Sequence, residues 1–356
     1  MSSQGFTALR SYLDRCIGDR IFPGCALGII RRGRRDIVTA GRLTYEASSP
    51  PVTGETLYDV ASITKAVPVS CLAIKLIEEE VIGLTSRLID FIPEFSGPYR
   101  EEVLLRHLLT HTLDFDFMLS SRKDLRPAEI LASIFTARLR TRPGTVFSYA
   151  NATSILLGLV IERAIGRRLD RIAGERFFGP LGMRDTTFFP ELRSDLSVAP
   201  SEDDPWRGRI ICGEVHDESA WALRPVMVAG SAGLFSTAAD LLGFMAMLLD
   251  HGSHDGFKLF KKETIAFMYT NALPPGMGCS AGLGWELKAP EFMGKSCTPS
   301  TFGKTGFTGC AIVVDPAREA GLVLVTNHTF PRRRSDRTII NTVRSALADM
   351  VLGSAA

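Results

Sequence analysis

Apolar residues recur in two rhythms along this chain. Near the start, Phe6, Leu9, Leu13 and Ile17 fall three and four apart, which predicts a helix almost from the first residues. Three other runs, at 24–30, 309–315 and 321–327, are dense in Ile, Val and Leu and bounded by Gly, Pro or charge, which predicts strands. The first is followed by Arg31-Arg32-Gly33-Arg34-Arg35 and then a second run at 36–40, a hairpin with Gly33 at its tip. Between the ends helical periodicity dominates, with candidate helices at 63–80, 101–110, 127–138, 151–165, 238–250 and 262–269 and a final one at 335–351. Strands at both ends with helices between them predict a sheet built from the termini and a helical unit carried in the middle.

Composition narrows the class. The chain has 356 residues, 45% hydrophobic and 22% charged, which is enough for one large or two ordinary domains and excludes a disordered, collagenous or coiled-coil protein. With 41 Lys+Arg against 39 Asp+Glu, the net charge of +2 gives no general attraction to nucleic acid or anionic membrane. The apolar stretch 241–249 falls well short of the ~18 residues a membrane span needs. The basic clusters 31–35 and 332–334 each follow a strand and lack the interleaved aromatics that stack bases, so both read as solvated turns. The start lacks the basic and apolar regions of a secretory leader, and the seven cysteines include no Cys-x-x-Cys pair. Reduced, buried thiols in a cytoplasmic protein are the expectation. No cofactor or metal is expected.

Three short motifs carry the candidate chemistry. In Ala61-Ser62-Ile63-Thr64-Lys65, at the head of the helical run 63–80, Ser and Lys stand three apart and share a helix face. A serine is a weak nucleophile until a neighbouring base takes its proton, and a helix N-terminus favours negative charge on the reacting oxygen. The second motif is Tyr149-Ala150-Asn151, at a loop-to-helix junction after Arg142-Pro143-Gly144. The third is Lys304-Thr305-Gly306, read as an edge strand leading into 309–315, where Gly admits a substrate beside a fixed cation. Chance copies exist for the first two, at Ser120/Lys123 and Tyr269/Asn271.

In this order the three resemble the serine β-lactamase and penicillin-binding protein superfamily, and Tyr-x-Asn resembles its class C branch, which includes family VIII-type carboxylesterases and D-amino-peptide hydrolases. Further landmarks are Leu108-Leu109-Thr110-His111-Thr112, Pro143-Gly144-Thr145, Phe178-Gly179-Pro180-Leu181-Gly182-Met183, Gly233-Leu234-Phe235-Ser236-Thr237-Ala238 and Gly282-Leu283-Gly284-Trp285. The likeness spans roughly residues 6 to 350. It implies an α+β fold: an antiparallel sheet from both termini (1–75 and 270–356) flanked by helices, with a mostly helical domain, 76–269, inserted.

The resemblance also implies roles. Ser62 is the acylated nucleophile, Lys65 its activator, and Tyr149 the base in acylation and then the proton donor. Asn151, Lys304, Thr305 and Gly306 bind substrate, and the backbone N–H groups of Ser62 and Phe307 form the oxyanion hole. The expected activity is a carboxylesterase on small acyl esters. The alternatives are a class C-like β-lactamase or D-Ala-D-Ala carboxypeptidase, and a family member that binds ligands without turnover. The partner is a small ester or amide. Three departures stand out. Pro68 falls inside the nucleophile helix and predicts a kink. Leu113-Asp114 replaces the usual Ser-Gly. Lys304 is kept where many esterase relatives carry His, which favours a substrate carboxylate.

Rival readings use other residues. Gly278-Cys279-Ser280-Ala281-Gly282 fits a Gly-x-Ser-x-Gly elbow with Asp315 and His328 following in triad order, but Leu273-Pro274-Pro275-Gly276 precedes it and no helix-forming run follows. His107 and His111 stand four apart as metal ligands can, without a clear third ligand, so a loop-anchoring role is preferred. His216-Asp217-Glu218 is a polar cluster with no assigned role.

Overall fold

The computed structural model describes residues 2–353. Its strands are β1 Gly24–Arg31, β2 Arg34–Gly41, β3 Tyr58–Asp59, β4 Glu202–Asp204, β5 Arg209–Ile211, β6 Phe235–Ser236, β7 Ser253–His254, β8 Phe257–Lys258, β9 Ser280–Ala281, β10 Glu286–Leu287, β11 Phe302–Thr305, β12 Ala311–Asp315 and β13 Ala320–Thr326. Seven of them form one antiparallel sheet in the order β2-β1-β13-β12-β11-β10-β9. The sheet therefore joins the two ends of the chain, with Cys25 of β1 opposite Thr326 of β13.

The helices are α1 Ser3–Gly18, α2 Cys71–Glu78, α3 Leu105–Leu109, α4 Pro127–Phe135, α5 Asn151–Ile165, α6 Leu169–Ala173, α7 Glu218–Leu223, α8 Ala238–Leu249, α9 Lys262–Tyr269, α10 Pro290–Met293 and α11 Thr338–Leu352. Strands β1, β12 and β13 are covered on both faces, which is why they read as continuous apolar runs rather than alternating ones. Cys25, Leu27 and Ile29 join Leu322 and Leu324 in a core with α1 and α11. Ala26, Ile30, Val323 and Val325 face the opposite core, which takes in α2, α5 and α8. The middle segment of the chain thus sends α8 onto the sheet itself, beside β1 and β13. The fold is α+β: one antiparallel sheet flanked by helices. No helix among the described residues is long and apolar enough to cross a membrane.

Several expectations need correction. The run 63–80 is not one helix: a 3₁₀ turn, Ala61–Lys65, and an irregular segment through Val67 (φ −115°, ψ 106°) precede α2. Pro68 sits in that break, where a missing N–H is least disruptive. Helix 101–110 shortens to α3. Lys304 is not on an edge: β11 pairs with β12 on one side and with β10 on the other. Its four residues, with Gly and Lys inside, give no apolar run to read. Cys16, Cys25, Cys71 and Cys310 are buried as expected, but Cys212 and Cys279 are exposed, and all seven cysteines are free.

Candidate active site

The first wall of the site is the Ser62 turn. Asp59, buried on β3, accepts the Ala61 N–H at 2.8 Å through one carboxylate oxygen and the His216 N–H at 2.8 Å through the other. Burial raises the Asp59 pKa, and those two N–H bonds oppose the rise. The bond to Ala61 steadies a left-handed backbone, φ +49°, immediately before Ser62, a conformation that costs a non-glycine residue about 1–3 kcal/mol. Since Ser62 lies on a one-turn helix, no long macrodipole points at it, and the local bonds set its position. Lys65, 2% exposed, donates to the Ser62 hydroxyl at 3.1 Å and to the Ser231 carbonyl at 2.6 Å. The expected i, i+3 contact is present.

Tyr149 and Asn151 form the second wall, at the loop that enters α5. Tyr149 lies across the turn from Ser62, its ring centre 5.1 Å from Lys65 Nζ and 4.8 Å from Lys304 Nζ. Removal from water would raise its pKa, but the two cations and a hydrogen bond with Ser62 outweigh this and hold it below the ordinary value. The His111 ring packs against the phenol, tilted, with ring centres 4.7 Å apart. Burial, with Lys304 and Lys65 adding to it, keeps that imidazole neutral. The Asn151 amide donates to Asp217 at 3.0 Å.

The third wall is β11 and the turn after it. Lys304, 2% exposed, is paired with Glu286 of β10 at 3.0 Å. Burial works against its charge, and Glu286 and Tyr149 more than restore it. Gly306 is required here: a Cβ would run into the Val60 carbonyl, so only glycine lets this turn close against the Ser62 turn. From α11, buried Arg344 donates to the carbonyls of Gly306 at 2.6 Å, Cys310 at 3.0 Å and Gly309 at 3.2 Å. Burial pulls its pKa down to about 10, and the guanidinium clamps the loop carrying Phe307.

Ser62, Tyr149, Asn151, Lys304, Thr305, Gly306 and Phe307 line one cleft of about 850 Å³, with Lys65 behind them. The volume suits a small substrate. Phe115, Phe117, Met118, Leu119 and Phe147 give one end of it an apolar wall.

The rival sites do not assemble. Ser280 borders the cleft on two-residue β9 with no helix behind it, while Asp315 accepts from Thr298 and Thr301 and the His328 ring meets the Ile21 carbonyl. His107 accepts the Leu104 N–H and is neutralised by burial, its pKa down to about 4; His111 lies outside α3 with φ +52°. The two do not share a helix face. Lys123 stacks on Trp206 and Tyr269 on Phe302, which accounts for the chance motifs. Sequence reasoning missed Asp59, Glu286, Arg344 and Arg333. The cluster 332–334 is exposed, as a solvated turn should be, yet the Arg333 guanidinium also lies 4.4 Å from the Phe307 ring and pairs with Glu218, at the rim of the cleft. Of the four, Asp59 alone left a local sign, a short acceptor two residues before the N–H it binds.

The family model described as Beta-lactamase matches residues 9–344. The chain belongs to the beta-lactamase family. A curated relative from Escherichia coli K12, named "Putative D-alanyl-D-alanine carboxypeptidase", is 28% identical over 81% of this chain and 72% of its own length. Among solved structures, "EstCE1, a hydrolase with promiscuous acyltransferase activity" superposes with a TM-score of 0.78 at 21% identity, covering 98% of this chain and 99% of its own. The octameric penicillin-binding protein homologue from Pyrococcus abyssi has a TM-score of 0.78 at 23% identity, covering 98% and 78%. The chain is a serine hydrolase of this fold.

Proposed function

We propose that the protein is a carboxylesterase on small acyl esters that works through an acyl-enzyme on Ser62. The observation that carries the catalytic half is the Ser62–Lys65 bond at 3.1 Å, with the Tyr149 ring 5.1 Å from Lys65 Nζ and 4.8 Å from Lys304 Nζ. Ser62 Oγ attacks the ester carbonyl and its proton passes to the Lys65–Tyr149 pair. The oxyanion meets the N–H groups of Ser62 and Phe307. Collapse breaks the acyl–oxygen bond, and the alcohol leaves with a proton from Tyr149. Water then repeats the sequence on the acyl-Ser62 ester and frees the acid.

The substrate half rests on charge. Lys304 already has a carboxylate partner in Glu286, and Asn151 already faces Asp217. Lys304, the position that would receive a substrate carboxylate, therefore already carries one of the protein's own, which favours an uncharged ester over a D-alanyl peptide or a β-lactam. The apolar wall around Phe117 and Met118 favours an acyl chain. A second reading, D-Ala-D-Ala carboxypeptidase or β-lactamase, is favoured by Arg337, which borders the same cleft and has no acidic partner among the described residues. A cytoplasmic location belongs to the first reading. Steady-state kcat/KM for p-nitrophenyl butyrate, nitrocefin and a D-Ala-D-Ala peptide decides between them. Esterase activity should lead by tenfold or more, and nitrocefin or the peptide leading by that margin would reverse the assignment.

A further inference from the structure

His216-Asp217-Glu218 has no part in the reaction as written, yet its three consecutive side chains reach three parts of the site. The His216 ring meets the Phe307 ring edge-on at 4.8 Å. Glu218 pairs with Arg333, whose guanidinium covers Phe307 at 4.4 Å. Asp217 divides its carboxylate. One oxygen accepts the Ala220 N–H at 2.9 Å and the Ser219 hydroxyl at 2.6 Å, capping α7; the other accepts the Asn151 amide at 3.0 Å.

The segment is fixed from behind by the Asp59 carboxylate, which joins the His216 N–H to the Ala61 N–H beside Ser62. A continuous chain of bonds thus runs from the nucleophile turn through Asp59, His216 and Asp217 to Asn151, linking the heads of α5 and α7. Among the described residues, Asp217 is the one side-chain partner that holds the Asn151 amide. A carboxylate oxygen only accepts, so it also fixes which end of the amide faces it and leaves the Asn151 carbonyl oxygen and second N–H for other partners.

We propose that Asp217 is a positioning residue for the reaction: it holds Asn151 in the orientation that receives the substrate, and 216–218 braces Asn151 and the Phe307 loop against the Ser62 turn. This rests on the assignment of Asn151 to substrate binding. Asp217 acts through Asn151 and is given no contact with the reacting atoms.

The test is a double-mutant cycle on kcat/KM for p-nitrophenyl butyrate, with Tm measured for every variant. Asp217→Asn keeps the side-chain shape but offers Asn151 a competing amide. Asp217→Ser keeps a good N-cap for α7 and is too short to reach Asn151. Each should lower kcat/KM by about 10–100-fold, the range for losing a hydrogen bond to a charged group, and Asn151→Ala should do the same. Added to Asn151→Ala, either Asp217 change should then lower activity by less than about twofold, because the group it positions is gone. A full, multiplicative loss in the double variants, or wild-type activity in both Asp217 variants, overturns the proposal. Wild-type activity in Asn151→Ala instead overturns the assignment of Asn151 on which it rests.

Discussion

Ser62, on the turn before α2, and Ser280, on β9, both border the cleft, and each sits in a motif that elsewhere marks a nucleophile. Around Ser62 the fold gathers a buried lysine at 3.1 Å, a phenol held between two cations and a backbone fixed by Asp59. Around Ser280 it gathers none of these: the triad partners of that motif are bonded elsewhere, and among the described residues no base is bonded to its hydroxyl. The contrast teaches that a motif is worth what its long-range partners make of it. Equal access to one cavity does not make two serines equivalent.

The comparison breaks first at Ser62 itself. Ser62→Ala removes the oxygen proposed to carry the acyl group, so hydrolysis of p-nitrophenyl butyrate should fall by at least about 10⁴-fold. A fluorophosphonate probe should add its mass to the peptide containing Ser62 in the wild type and to no peptide in the variant. Retained turnover, or labelling at Ser280, would move the nucleophile to β9. Lys65→Ala comes next. It takes away the hydroxyl's partner while leaving Ser62 in place, and the loss of a positioned proton acceptor is typically about 10²–10⁴-fold. A fall concentrated in kcat, read by stopped-flow acylation, is the expected outcome; a change in KM alone would make Lys65 structural.

How much of this was legible in the sequence follows physical range. Ser62 and Lys65 are near neighbours, so three-residue spacing was enough to bring them together even though the helix assumed around them is a single turn. The core strands declared themselves because burial on both faces leaves them almost wholly apolar, and α5 was readable to its ends because Gly166, φ +73°, stops it. The bonds that tune the site span long separations: Asp59 to His216 is 157 positions, Arg344 to Gly306 is 38, Lys304 to Glu286 is 18. No periodicity encodes such pairs. Arg333 illustrates the limit: its cluster is exposed, as a basic run after a strand ordinarily is, and only the folded chain brings Phe307 and Glu218 to meet it.

Lys304 sharpens the comparison through pH. Tyr149 is held below its ordinary value of 10.0 by Lys65, Lys304 and Ser62, so a base acting as the ionised phenol gives kcat/KM an ascending limb below that pH. In Lys304→Met one cation is lost and Glu286 is left unpaired; both changes disfavour the phenolate, and the limb should move to higher pH. At neutral pH the variant should be slower, with the gap closing as pH rises. A limb that stays put, or shifts toward acid, would remove Tyr149 from the role of base.

The smallest effect is the most pointed. Ser280 is half-buried on a two-residue strand whose partner in β10 is Leu287, next to the Glu286 that neutralises Lys304. Ser280→Ala removes a hydroxyl and keeps the backbone pairing, so the β9–β10 edge and the Glu286–Lys304 pair should survive. A surface change of this kind shifts stability by about 0.5 kcal/mol or less. We expect kcat/KM for p-nitrophenyl butyrate to stay within about twofold of wild type, and the fluorophosphonate label to stay on Ser62. A loss of tenfold or more with Ser62 labelling intact would mean that Ser280 touches the substrate from β9. A loss of labelling as well would mean that β9 and β10 set the geometry of Lys304, and through it that of Tyr149.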